Sequence, residues 1–326
     1  MSAIQKTPPS KLMVILAFAV VYIVWGSTYF FIRVAIEDFP PFIMAAIRFI
    51  IAAILMFAWC SYKKESLFNW HDVKPAMVSG ALMLFIGNGA VVWSEQYLAS
   101  SIAAILVSAG PIWFVMLDKK NWGVNLRSKN IVTGLLIGFV GVIVLFSDNV
   151  SQALSSTGSM LQIVATALLV IGSISWAGGS LYSKYKTSGH SSTVNTAWQM
   201  LSAGVLFTIF SVGSGETNNF HMADVSTSSW LALAYLIVMG SLVGYSSYVW
   251  LLSVRPATQV STHAYVNPIV AVLLGVLFVG ESLSAMQISG LVIILLSVLL
   301  VNLNKYRKPK TEQVITPSTK LSCEVS

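Results

Sequence analysis

Arg48 is the one charged residue in the apolar stretch 41–60. Seven residues past Pro41, it lies roughly 10 Å along a helix rising about 1.5 Å per residue. If that stretch crosses a bilayer, the guanidinium costs about 2.5–3.5 kcal/mol at mid-depth, so it must face the protein interior and find a partner. Glu95, near the end of a later apolar stretch, is the nearest carboxylate in depth and the expected partner. Such a pair could take a substrate carboxylate, act as an outer gate, or be a fixed structural ion pair.

Pro111 and Pro268 each interrupt an apolar stretch. Each removes a helix hydrogen bond and frees the carbonyl four residues earlier, at Val107 and Ala264. In lipid those carbonyls need new partners, and Ser108 and Asn267 lie near enough to supply one or to line a polar cavity. The alternative is a packing kink without a ligand. His263 is the one histidine of four inside an apolar stretch, with Gln259 and Asn267 four residues away on the same helical face. It is a candidate for proton coupling, against the commoner role of a neutral histidine bonded to a neighbouring helix. Trp25, Trp93, Trp176, Tyr245 and Tyr265 offer ring faces for an apolar or cationic metabolite. Trp59, Trp70 and Trp230 fit the aromatic belts of a membrane interface better.

The elements that must hold these residues follow from composition. Of 326 residues, 56% are hydrophobic and 10% charged, and mean hydropathy is +0.77. Soluble domains carry about 25% charged residues, so this chain has too few to cover a water-facing surface. Apolar runs of about twenty residues, the length that spans roughly 30 Å of hydrocarbon, predict ten helices. They lie near 12–32, 41–60, 76–94, 100–117, 130–147, 160–183, 194–212, 229–252, 258–279 and 285–303. The first run is too long for a signal-peptide core and is read as a retained helix. Residues 1–11 form a short N-terminal segment, 148–159 a linker, and 304–326, rich in Lys, Pro, Ser and Thr, a disordered tail.

A net charge of +7 does not point to nucleic acid, because the basic residues fall between the apolar runs rather than on one face. Counted by loop, every one of the 19 Lys and Arg residues except Arg33 and Arg48 falls on the side that carries both termini. By the positive-inside rule that side is the cytoplasm, which places the chain in the plasma membrane as a multi-pass protein. Glu37, Asp38, Asp148, Glu216, Asp224 and Glu281 fall on the other side. Cys60 and Cys323 are the only cysteines, too few for a disulfide framework or a thiolate metal site.

The chain also repeats itself. A shift of 151 residues places Trp25 on Trp176, Ala46 on Ala197, Arg48 on Gln199 and Ala52 on Ala203; a shift of 157 places Gly87 on Gly244, Trp93 on Trp250 and Pro111 on Pro268. Two copies, 12–147 and 160–303, each of five helices, must enter the membrane in opposite senses, as suits alternating access. Gln199, the repeat mate of Arg48, either faces a central cavity or makes an interhelical hydrogen bond. Gly134, Gly138 and Gly141 are spaced for close packing, within the bundle by default or across a dimer interface. Asn149-Val150-Ser151 matches a glycosylation acceptor.

Several segments together resemble the EamA branch of the drug/metabolite transporter superfamily. They are Trp25-Gly26-Ser27-Thr28, Pro41-Phe42 with Ala46, Arg48 and Phe49, and Gly87-Asn88 running to Trp93, Glu95 and Gln96. Ala103-Ala104-Ile105-Leu106 before Pro111, and Asn267-Pro268 before Gly280-Glu281, complete the set. Trp176-Ala177-Gly178-Gly179, at the start of the second copy, is a looser match. The resemblance implies a ten-helix inverted-repeat exporter of amino acids, related metabolites or amphipathic compounds.

The expected fold is therefore an all-α integral membrane protein. The expected function is a secondary transporter, monomer or homodimer, with a small-molecule substrate and no cofactor or metal. Candidate substrate contacts are Arg48, Gln199, Asn88, Asn267 and the five aromatics Trp25, Trp93, Trp176, Tyr245 and Tyr265. Glu95, His263, Pro111 and Pro268 are candidates for gating or coupling. No nucleophile–base pair, paired carboxylates, HExxH or phosphate-binding glycine loop supports an enzyme. A gated channel or a membrane receptor for a small molecule is the alternative, and the inverted repeat favours a carrier.

Overall fold

The computed structural model describes residues 9–98, 100–147, 159–187, 191–218, 220–274 and 284–303 of the 326. Among these described residues helix is the only regular secondary structure, and no strand occurs. The helices are α1 (Lys11–Ala35), α2 (Pro41–Tyr62), α3 (Trp70–Ser94), α4 (Ser100–Val107), α5 (Gly110–Leu117) and α6 (Lys129–Leu145). Then follow α7 (Met160–Lys186), α8 (Ser192–Gly213), α9 (Thr227–Val254), α10 (Ala257–Val260), α11 (His263–Leu274) and α12 (Ala285–Leu303). Seven are long and apolar enough to cross a membrane, and an eighth is gained if Ile102–Leu117 and the Lys119–Asn125 segment, bent by 66°, count as one span.

Serine side chains start many of these helices by accepting an orphan N–H of the first turn. Ser10 caps α1, Ser128 α6, Ser191 α8 and Ser226 α9, and Ser159 forms a reciprocal capping box with Gln162 on α7. Pro41 opens α2, where its missing N–H costs nothing. The run expected at 76–94 starts earlier, at Trp70, because Asn69 caps it; Pro75 lies inside the helix, where it cannot donate to the His71 carbonyl. Asp38 holds the α9 cap in place by accepting from the Ser226 backbone N–H and the Ser229 hydroxyl, bonds that hold its carboxyl below the usual range. Asn149-Val150-Ser151, Gly280-Glu281 and the tail 304–326 lie outside the described residues.

Polarity runs opposite to that of a soluble protein. Ser27, Thr28, Arg48, Glu95, Ser173, Gln199 and Ser241 are buried, while Leu12, Ile15, Phe30, Ile54, Leu136, Ile209 and Leu295 are more than half exposed. Large apolar side chains on the outside, with polar and charged groups buried within an otherwise apolar core, suit a protein solvated by lipid.

Helices meet where glycines let backbones touch. Gly134, Gly138 and Gly141 of α6 face Val301, Ser297 and Ile294 of α12, so this stripe packs within the bundle. Gly204 of α8 meets Ile50 of α2. Two interior stretches, Ala81–Asn88 of α3 and Leu236–Tyr245 of α9, are π-helical, and their last residues are 157 apart. Each packs against a tryptophan. A Cβ on Gly87 would lie 3.1 Å from Trp176 Cε3, and one on Gly244 2.7 Å from Trp25 Nε1.

A Cβ on Gly290 would lie 2.5 Å from the Leu145 backbone nitrogen, which cannot rotate away. Gly290→Ala should therefore push α12 off α6 and cost about 1–3 kcal/mol. Thermal unfolding in detergent should show the loss, whereas Gly123→Ala, which meets nothing within 4 Å, should leave the transition unchanged.

Candidate functional site

A cavity of about 100 Å³ lies between α1, α3, α5, α7 and the α10–α11 break. Helical spacing explains its walls. Trp25, Thr28, Tyr29 and Ile32 form one face of α1; Gly87, Asn88 and Val91 come from α3; Gly172, Ser173 and Trp176 come from α7. The remaining wall is built from helix breaks. The span expected at 100–117 is interrupted at Ser108–Ala109, and the one expected at 258–279 at Ser261–Thr262. Val107 and Ala264, the residues whose carbonyls Pro111 and Pro268 release, both line the cavity. The hydroxyls of Ser108, Ser261 and Thr262 each bond a carbonyl three residues back, and Tyr22 adds a bond to Thr262.

Among the described residues, the lining contains no Asp, Glu, Lys or Arg. Its polar groups are nevertheless under-used. Asn88 Oδ1, Asn267 Oδ1 and Ser173 Oγ are buried without a hydrogen-bond partner among the described residues, and all three residues face the same cavity. A buried polar atom left unsatisfied costs about 1–3 kcal/mol, so three facing one cavity favour a ligand or water that can bond them. Asn267 meets His263 Nδ1 at 3.4 Å, the long limit of a hydrogen bond. His263 itself stands edge-on to Trp25 and Tyr248, with centroids 5.0 and 5.3 Å away. Trp25 and Trp176 touch edge to face at 5.4 Å, so the repeat-related tryptophans form one aromatic wall.

Of the residues singled out in the sequence, Trp25, Trp176, Asn88, Asn267 and His263 converge on this cavity, and Pro111 and Pro268 adjoin the breaks. Arg48 turns towards α9. Its Nε donates to Ser241 Oγ at 2.9 Å, its guanidinium stacks 4.9 Å from the Phe49 ring, and it lies with Thr28 against Gly240 rather than in the cavity wall. Glu95 is fully buried at the end of α3, where its carbonyl accepts from Arg33 Nη1 at 2.6 Å. Trp93 pairs with Tyr97, and Tyr265 donates to the Leu135 carbonyl; neither lines the cavity.

Gln199 does not face the cavity either. Its amide donates to Ser79 and Ser183 at 2.9 and 3.0 Å, and its carbonyl accepts from Tyr245 at 2.9 Å. Tyr245 in turn stacks on Trp25 and Tyr248, so Gln199 and Tyr245 brace the aromatic wall from behind. Thr28, Ser173 and Ser261 were not singled out. Thr28 is one turn past Trp25 and Ser173 one turn before Trp176, which puts each on the face its tryptophan already marks.

Gln199→Ala would leave Ser79, Ser183 and Tyr245 without this partner. At about 0.6 kcal/mol for each interhelical bond in a membrane protein, the loss should be about 2 kcal/mol. Detergent melting should record it, while the affinity of any cavity ligand, measured well below the transition, should change less than for Asn267→Ala.

The sequence profile of the EamA-like transporter family matches residues 11–147 and again 163–303. The chain is 38% identical over 304 residues to the inner membrane transporter YedA of Escherichia coli strain K12, covering 92% of this chain and 94% of that protein. It is 24% identical over 298 residues to a probable amino-acid metabolite efflux pump of the same strain, covering 86% and 91%. A solved crystal structure, 17% identical, superposes with a TM-score of 0.73 over 90% of this chain and 98% of that one, which supports the fold. A multi-pass helical bundle with apolar exterior, matched twice by one profile over nearly its whole length, belongs to the EamA-like transporter family.

Proposed function

We propose that the chain is a secondary carrier that exports a small amino acid or related metabolite by alternating access, with the cavity between α1, α3, α7 and the helix breaks as its binding site. The observation that carries this reading is the convergence of Asn88 Oδ1, Asn267 Oδ1 and Ser173 Oγ, three buried polar atoms without partners, on a wall of two tryptophans. Carboxamide oxygens suit an ammonium or other N–H donor, and the ring faces of Trp25 and Trp176 add cation–π attraction. Arg48, buried beside Gly240 with its Nε on the neutral Ser241 hydroxyl, biases the local field towards a carboxylate. A compact zwitterion satisfies all three features. The name of the amino-acid metabolite efflux pump to which the chain is similar agrees with that class.

In this reading the chain forms ten spans, α4–α5 and α10–α11 each being one broken helix, arranged as two inverted five-helix copies with both termini in the cytoplasm. The double profile match, the reciprocal seating of Trp25 on Gly244 and Trp176 on Gly87, and the equivalent π-helical stretches support the duplication. The driving force would be a gradient of the substrate or of an ion, with His263 the candidate proton carrier.

Counterflow in proteoliposomes, with a panel of labelled amino acids and amphipathic amines, tests the proposal. Saturable exchange of at least one neutral amino acid is expected. Losing a hydrogen bond to a charged group costs about 1.5–3 kcal/mol, so Asn88→Ala and Asn267→Ala should each lower kcat/KM about tenfold or more. Flux that rises linearly with concentration and shows no counterflow would favour a channel. Binding without any flux would favour a receptor.

A further inference from the structure

Arg33 and Lys184 entered the sequence reading only as topology charges, yet each lies eight residues past a cavity tryptophan, Trp25 or Trp176. Each occupies the last turn of its helix, α1 or α7. Each donates to a main-chain carbonyl: Arg33 Nη1 to Glu95 at the end of α3, and Lys184 Nζ to Leu252 near the end of α9 and to Arg255 beyond it, with the Asp118 carboxylate in the neighbourhood of Lys184. Glu95 and Leu252 are 157 residues apart, the offset that relates Gly87 to Gly244 and Pro111 to Pro268. The two contacts are therefore the same contact made twice.

They lie at opposite ends of the bundle. Ser94 Oγ donates to the Ala165 carbonyl, which fixes the Glu95 end of α3 beside the start of α7. Lys184 is nineteen residues further along α7, roughly 29 Å away at about 1.5 Å per residue, close to the thickness of the hydrocarbon layer. Each contact also joins helices that wall the cavity or adjoin its wall. Arg33 follows Ile32 and ties α1 to α3 just past Val91. Lys184 ties α7 to α9, and its neighbour Tyr185 donates to Asp118, four residues past Phe114 of the cavity wall, with Asn121 bonding both.

We infer that Arg33 and Lys184 are repeat-related latches, each closing one end of the cavity by binding a carbonyl at the end of a neighbouring helix. Cations bind such carbonyls favourably because the helix dipole is negative there. The contact is also reversible, since a long cationic side chain can exchange a carbonyl for interfacial water. This inference rests on the carrier reading, and its test needs no transported solute.

The reporter is Ser173→Cys at the cavity wall, in a background carrying Cys60→Ser and Cys323→Ser, labelled with a membrane-impermeant maleimide from either face of oriented proteoliposomes. Arg33→Met should raise the labelling rate about fivefold or more from the face that carries position 33. Lys184→Met should raise it from the opposite face. Arg33→Lys and Lys184→Arg retain a donor and should label as the parent does. Arg33→Leu and Lys184→Leu, which also lack a donor, provide a second pair with the same expectation as the methionine variants should one of those fail to insert. Unchanged rates in both variants, or a rise from the same face in both, would overturn the inference. A cation that merely caps a helix end would lower the melting temperature without any such sidedness. Sided labelling in the Ser173→Cys protein together with no counterflow by the chain with its native Ser173 would retain the latches and reject the transported class, so the two ideas fail separately.

Discussion

In hydrocarbon no water is present to complete a hydrogen bond, and each backbone or side-chain polar group must be satisfied by the protein itself. Everything else in this molecule depends on that constraint. It explains why the described residues are helical, why serine hydroxyls bond carbonyls three or four residues back along their own helices, and why the polar side chains are turned inward. It also gives meaning to the exceptions. In a soluble protein an unpartnered asparagine oxygen would be hydrated; here Asn88, Asn267 and Ser173 leave three atoms without a partner among the described residues at one cavity, open to a ligand or trapped water.

Gln199 and Asn267 illustrate two uses of the same chemistry. Both carry a carboxamide in a mid-chain helix, and both are buried. Gln199 has three protein partners and fixes Tyr245 against Trp25, so its hydrogen-bonding capacity is spent on holding the wall in shape. Asn267 has one long contact and an unpartnered oxygen. A satisfied network rigidifies and an unsatisfied one recruits, so binding falls to Asn267 and preorganisation to Gln199.

Much of this was legible in the sequence because height in a membrane is encoded by position along a helix. Apolar runs located the helices, and Pro111 and Pro268 located the breaks to within a turn or two. Trp25 and Trp176, matched by a 151-residue shift, marked the two faces that meet. Direction around the helix axis was less legible. Arg48 and Glu95 were paired by depth alone, yet Arg48 turns towards Ser241 on α9. Gln199 inherited a cavity role from its repeat mate, whereas a cluster of hydroxyls on α3 and α7 captures it. Partners that are main-chain carbonyls leave no mark in a sequence at all, which is why Arg33 and Lys184 read only as topology charges.

Hydrogen bonds to main-chain carbonyls at those two ends fit a device that must open. Breaking a buried ion pair by withdrawing one partner costs about 3–5 kcal/mol, because the abandoned charge stays desolvated. A cation near a helix end that releases a neutral carbonyl keeps its own access to interfacial water, and the carbonyl keeps half of its capacity for other donors. The cost of opening is then nearer the 1.5–3 kcal/mol of one hydrogen bond to a charged group. A ligand that binds one conformation ten- to a hundredfold better supplies about 1.4–2.8 kcal/mol, the same scale. Three unsatisfied atoms in the cavity are enough to generate that preference if only one conformation brings them together around the solute. Latch strength and cavity strain would then be matched, and an ion pair at either end would leave the carrier closed.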